Sequence, residues 1–104
     1  MAIAYVQEFK IQGGDTSTTN YDAVTAALDL KSAPDGLLIH TSGFDHDAGV
    51  FRIFDVWESN EHAQRFIDGQ LAPIMNEMMA GQPEGSVEPP QRETFYTLHH
   101  VIRP

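Results

Sequence analysis

The chain has 104 residues, a formal charge of −9 and no cysteine. Its length suits a single domain, residues 1–104, with a core large enough to fold but small enough to gain from a partner subunit. The missing thiols exclude disulfides, thiolate metal sites, iron–sulfur clusters and cysteine nucleophiles. The acidic balance disfavours nucleic acid and anionic membrane surfaces as partners.

Ten aromatic residues argue against disorder. No basic-then-apolar leader is read ahead of the first strand, and no apolar run approaches about 18 residues. A cytoplasmic protein is therefore the expectation.

Residues 2–10, AIAYVQEFK, alternate and are rich in β-formers, which predicts the first strand. A loop follows with Gly13-Gly14 as its breaker, and Thr19 or Asn20 is a candidate N-cap. Tyr21, Val24, Ala27, Leu28 and Leu30 recur near helical spacing over residues 20–31. Ser32-Ala33-Pro34-Asp35-Gly36 ends that helix. Residues 37–43 and 49–57 read as two strands joined by the polar loop FDHDAG. A second helix is predicted over 59–69 with Ser59 as N-cap and Glu61 in its first turn. Gly69 is a candidate break, and LAPIMNEMMAG a further helical piece. The proline-rich segment 81–93 is the one linker-like stretch. Residues 94–102, TFYTLHHVI, read as the fourth strand.

This order is βαββαβ, an α+β, ferredoxin-like layout with helices on one face of a four-stranded antiparallel sheet. In the third strand Phe51, Ile53, Asp55 and Trp57 share one side, and Arg52, Phe54 and Val56 share the other. A strand apolar on both sides needs cover on both sides. One chain has helices for only one, so a sheet-to-sheet homodimer is expected.

The candidate chemistry centres on His40, which ends the apolar run LLIH. With the hairpin loop centred at residues 46 and 47, His40 pairs with Ile53 and shares a face with Asp55 and Trp57. A histidine beside a carboxylate is a candidate general base. On this alternation a loop centred one residue away would move His40 to the other face. Trp57 is read either as a pocket wall or as a core aromatic. Tyr5 and Tyr96 are candidate hydroxyl donors to a ligand. His99 is a candidate substrate contact. His99 and His100 sit on consecutive strand positions and so point apart, which speaks against a shared metal. No ligand spacing supports a metal site, and none is expected. Met75, Met78 and Met79 suit either a lid or helix packing.

The element order, and WES-x-E-x-x-x-x-F after the third strand, resemble the dimeric α/β-barrel superfamily. Within it the chain looks most like the antibiotic-biosynthesis-monooxygenase-like group and its small actinobacterial members. That group includes cofactor-independent quinone-forming monooxygenases, haem-degrading enzymes, cyclases and isomerases. Haem-degrading members carry a histidine where this chain has Phe66, and His62 lies one turn early, so no cofactor is expected.

The resemblance implies a homodimer with a small apolar or aromatic ligand. It implies a possible cofactor-independent monooxygenase acting on an aromatic or polyketide-like substrate. In that role His40 abstracts a phenolic or enolic proton, Asp55 orients the imidazole, and Trp57 and Tyr96 hold the ring. A cyclase or isomerase with the same base, and a non-catalytic ligand-binding dimer, are the alternatives.

Overall fold

A computed structural model describes residues 1–11, 18–30, 32–81 and 90–102. The elements run β1 (Ile3–Lys10), α1 (Thr19–Leu28), β2 (Leu37–Asp45), β3 (Val50–Trp57), α2 (Asn60–Phe66), a π-helical turn (Ile67–Leu71), α3 (Ala72–Ala80) and β4 (Arg92–Thr97). The four strands form one antiparallel sheet in the order β2-β3-β1-β4. This is the βαββαβ, ferredoxin-like arrangement that the sequence pattern predicts.

The register sorts side chains onto two faces, because directly paired residues in antiparallel strands share a face. Ile3, Tyr5, Asp55 and Trp57 share one face, through the pairs Ile3↔Trp57 and Tyr5↔Asp55. Ile3, Tyr5 and Trp57 cluster with Ala63 of α2, and Leu37, Phe66 and Ile67 pack around them. This is the helix-side core. Ala4, Val6, Phe54 and Val56 lie on the far face.

Ser59 caps α2 as its type predicts, its Oγ accepting from the His62 N–H at 3.2 Å. The His62 ring packs against Gly36, whose φ is +85°. Gly69 falls inside the π-helical turn, so the helical path continues into α3 rather than stopping there.

Three expectations about where elements begin and end need correction. The α1 N-cap is Thr18, not Thr19 or Asn20. The Thr18 hydroxyl donates to the Asp22 carboxylate rather than closing onto a backbone N–H. Helix α1 ends at Leu28, where Asp29 takes a left-handed conformation (φ +46°) and its N–H bonds Thr25 O. The fourth strand ends at Thr97, so His99 and His100 follow it and do not alternate across the sheet.

The β2–β3 turn is centred between residues 47 and 48, since Asp45 pairs with Val50. Moving the centre by a whole residue shifts every partner by two positions and preserves the faces, which corrects the expectation that such a move would carry His40 to the other face. His40 therefore pairs with Asp55 instead of Ile53, and the trio with Trp57 stays on one side. The Gly13-Gly14 loop and most of the 81–93 segment lie outside the described residues.

Candidate active site

His40 lies on the helix side through a register that runs unbroken from the turn, Asp45↔Val50 to His40↔Asp55, and a local irregularity in β2 follows only beyond it. Leu37 pairs with Trp57, but Ile39 pairs with Val56 and His40 with Asp55, so an extra residue sits in β2 between Leu37 and Ile39. Without that bulge, the register set at the turn would carry Leu37 opposite Glu58 on the far face; the bulge returns it to the helix side, opposite Trp57. A bulge on an edge strand commonly re-aims a side chain in this way.

The His40 Nδ1–H donates to Asp55 Oδ1 at 2.5 Å. The Tyr21 hydroxyl on α1 lies 2.6 Å from His40 Nε2. The Tyr21 and His40 rings are parallel to within 1°, with centroids 6.2 Å apart. That separation, with an O···N contact between the ring tips, describes an in-line hydrogen bond more than a face-to-face stack. Tyr21 also meets the ring of Phe51 edge-on at 5.5 Å. Asp55, His40 and Tyr21 thus form one chain of hydrogen bonds across β3, β2 and α1. The Asp55 side chain is 12% exposed and that of His40 41%, so the chain runs from interior to surface.

The hydrogen bond to Asp55 pushes the His40 pKa up to about 9, against an opposing effect of burial and with help from Tyr21. Burial acts to raise the Tyr21 pKa, but hydrogen bonds from Ser42 and His40 outweigh it and lower it. At neutral pH His40 is therefore mainly an imidazolium that donates at both nitrogens. Its neutral form is scarce there, and each neutral molecule is a stronger base than a free histidine.

The remaining sequence candidates fall elsewhere. Trp57 is 1% exposed and packs on Phe66 with ring centroids at 5.5 Å, so it belongs to the core under the site. Its indole Nε1 is buried without a hydrogen-bond partner among the described residues. The Tyr5 hydroxyl donates to Glu93 at 2.9 Å while its ring stacks on Phe95 at 4.2 Å. Burial first, and then Glu93, push the Tyr5 hydroxyl pKa up. That hydroxyl is already committed.

Tyr96 pairs with Ala4 and lies on the far face, away from His40, which corrects its expected place beside Trp57. His99 is exposed beyond the end of β4. Among the described residues no group of three His, Asp or Glu side chains comes together as a metal site.

Among the described residues, open surface depressions of about 320 and 260 Å³ include none of His40, Asp55 and Trp57. The hydrogen-bonded chain is the better candidate, because the depressions hold no comparable acid–base pair.

Tyr21 is the member that sequence reasoning missed. It is the one polar-tipped residue in the row Tyr21, Val24, Ala27 and Leu28 that marks α1. That polar tip on a core-facing row was the available signal.

No protein-family model matches the chain, and no curated protein matches it. Solved structures do. SnoaB, a cofactor-independent oxygenase from Streptomyces nogalater, is 16% identical over 99% of this chain and 98% of that one, with a TM-score of 0.59. A candidate antibiotic biosynthesis monooxygenase from Deinococcus radiodurans is 13% identical over 100% of this chain and 98% of that one, at a TM-score of 0.65. NE2512, a protein of unknown function from Nitrosomonas europaea, is 20% identical over 99% and 94%, at 0.66. At such identities the likeness establishes fold and leaves activity to the site. The chain has the ferredoxin-like fold of the antibiotic-biosynthesis-monooxygenase-like proteins.

Proposed function

We propose that the protein is a cofactor-independent oxygenase that deprotonates a phenolic or enolic aromatic substrate and lets the resulting carbanion react with dioxygen. The observation that carries this reading is the 2.5 Å hydrogen bond from His40 Nδ1 to Asp55, on a residue that reaches the surface. The shared fold with SnoaB supports it as an analogy.

Neutral His40 accepts the substrate proton, and the imidazolium so formed is held by Asp55. The substrate anion, with charge at carbon, forms a C–O bond to dioxygen. His40 returns its proton to the peroxide, and loss of water with the remaining C–H proton leaves a carbonyl. One oxygen atom ends in the carbonyl and the other in water. No metal or organic cofactor enters these steps.

The expected assembly is a homodimer. The far sheet face leaves Ile39 50% and Tyr96 46% exposed, and a second copy would cover them. Oxygen uptake with dithranol, a tricyclic phenolic anthrone, tests the chemistry. Uptake above the protein-free rate, lost in His40→Ala, supports the reading. Product formation without oxygen uptake would point instead to a cyclase or isomerase using the same base.

A second reading, a non-catalytic ligand-binding dimer, draws on the larger depression. Ile3, Asn60, Gln64, Phe95, Tyr96 and Thr97 line it, at the end of the sheet and away from His40. A small aromatic molecule held there would give Tyr96 its expected ligand role. Retained ligand in native mass spectrometry, unchanged by His40→Ala and with no turnover, favours that reading.

A further inference from the structure

We infer that the Tyr21 hydroxyl is the group that meets the substrate's acidic proton, with His40 and Asp55 acting behind it. The inference rests on the oxygenase reading and changes which atom touches the substrate. Both imidazole nitrogens are already engaged, Nδ1 by Asp55 at 2.5 Å and Nε2 by the Tyr21 hydroxyl at 2.6 Å. A substrate hydroxyl can reach Nε2 only by breaking the Tyr21 contact.

The near-parallel rings hold the phenol oxygen in line with Nε2, and the ring of Phe51 meets that of Tyr21 edge-on at 5.5 Å. The backbone beneath is tied down as well, since the Thr25 hydroxyl donates to Tyr21 O at 3.0 Å. While its own proton points at Nε2, the Tyr21 oxygen accepts from the exposed Ser42 hydroxyl, and a substrate hydroxyl reaches it by taking the place of Ser42. A substrate hydroxyl is the donor that fits this position.

The transfer then moves two protons. The substrate O–H bond breaks as a new O–H bond forms on Tyr21. The original Tyr21 O–H bond breaks as an N–H bond forms at His40 Nε2. The products are a substrate anion, a neutral Tyr21, an imidazolium and the Asp55 carboxylate. Charge balances, and no further reactant is needed for this step. A phenol is a suitable intermediate carrier because its acidity resembles that of the phenolic or enolic substrate, so neither transfer is steeply uphill.

The test is a proton inventory on the parent protein, in which kcat for dithranol-dependent oxygen uptake is followed through mixtures of light and heavy water. Two protons in flight predict a bowed curve for the parent. In Tyr21→Phe, kcat falls roughly 100-fold, KM changes little, and the residual rate gives a straight line. A Tyr21 that merely supports α1 would alter stability without straightening the curve.

A straight line in the parent overturns the inference, and needs no variant to fold. Unchanged kcat in Tyr21→Phe, alongside loss of activity in His40→Ala, overturns it and leaves the oxygenase reading standing. A parent that takes up no oxygen above the protein-free rate removes the oxygenase reading and this inference with it.

Discussion

His40 and Asp55 are direct cross-strand partners on β2 and β3, joined by a hydrogen bond of 2.5 Å. The pairing follows from the turn, whose register runs unbroken from Asp45↔Val50 to His40↔Asp55, and a bulge beyond His40 brings Leu37 to the same side. Stability, acid–base behaviour and the proposed chemistry all depend on that contact.

The pair makes stability depend on pH in a definite direction. The folded His40 pKa lies near 9, above the ordinary value of 6.5. The protonated form is thus favoured in the folded protein. Its contribution is complete below about pH 6.5 and is lost as pH rises through about 9. Thermal melts should show Tm falling over that window. In His40→Gln that part of the fall should disappear. The partial exposure of His40 keeps the effect modest. Parallel Tm-versus-pH curves for parent and variant would contradict the pairing.

Gly36 and Gly49 separate two causes of strain. Both have positive φ, +85° and +70°. A Cβ at Gly36 would run into the His62 ring, whereas a Cβ at Gly49 meets nothing within 4 Å. Gly49→Ala should cost about 1 kcal/mol, from backbone conformation alone. Gly36→Ala should cost clearly more, and His62→Ala in the same chain should recover part of the difference. Denaturant unfolding of the three variants checks this. Equal losses at the two glycines would refute the steric argument.

Trp57 should be valuable for its volume and not for its indole N–H. Trp57→Ala should destabilise by about 3–5 kcal/mol, the range for deleting a large core aromatic. Trp57→Phe should lose much less, because Nε1 has no partner among the described residues and about 1 kcal/mol for a hydrogen bond need not be surrendered. Chemical denaturation compares the two. A Trp57→Phe loss close to that of Trp57→Ala would mean that the N–H has a strong partner.

The far sheet face, where Ala4, Val50 and Val56 are buried but Ile39 and Tyr96 are exposed, supplies an assembly prediction. Ile39→Lys places a charge at a side chain that is 50% exposed in the monomer. If a second copy covers that face, the variant should shift from dimer to monomer in sedimentation equilibrium. A variant as dimeric as the parent would place any interface elsewhere.

The fold was readable because its signals are local. Alternation marks Ile3–Lys10 and Val50–Trp57, and Ser59 caps the helix that follows the hairpin. The His40–Asp55–Trp57 face was readable too, since alternation survives a shift of the turn by one whole residue. The bulge was not, because nothing in LLIH announces an extra residue. Nor was Tyr21, whose helical spacing marked it as a packing residue. Its contact with His40 spans 19 positions and depends on how α1 lies across the sheet. The separation of Tyr96 from Trp57 was not readable, because the β1–β4 register, with Tyr96 opposite Ala4, cannot be read from either strand alone. The end of β4 at Thr97 was likewise hidden, since the apolar Leu98, Val101 and Ile102 continue the strand-like composition.

The most direct test of the central claim is the pH profile of oxygen uptake with dithranol, corrected for the protein-free rate, in parent and Asp55→Asn proteins. A base whose pKa is held near 9 predicts a parent rate that climbs with pH to a midpoint near 9. Without the Asp55 carboxylate the midpoint should fall toward the ordinary histidine range and the maximal rate should drop. Uptake whose pH profile is the same in both proteins would contradict the claim that the Asp55-held His40 performs the chemistry.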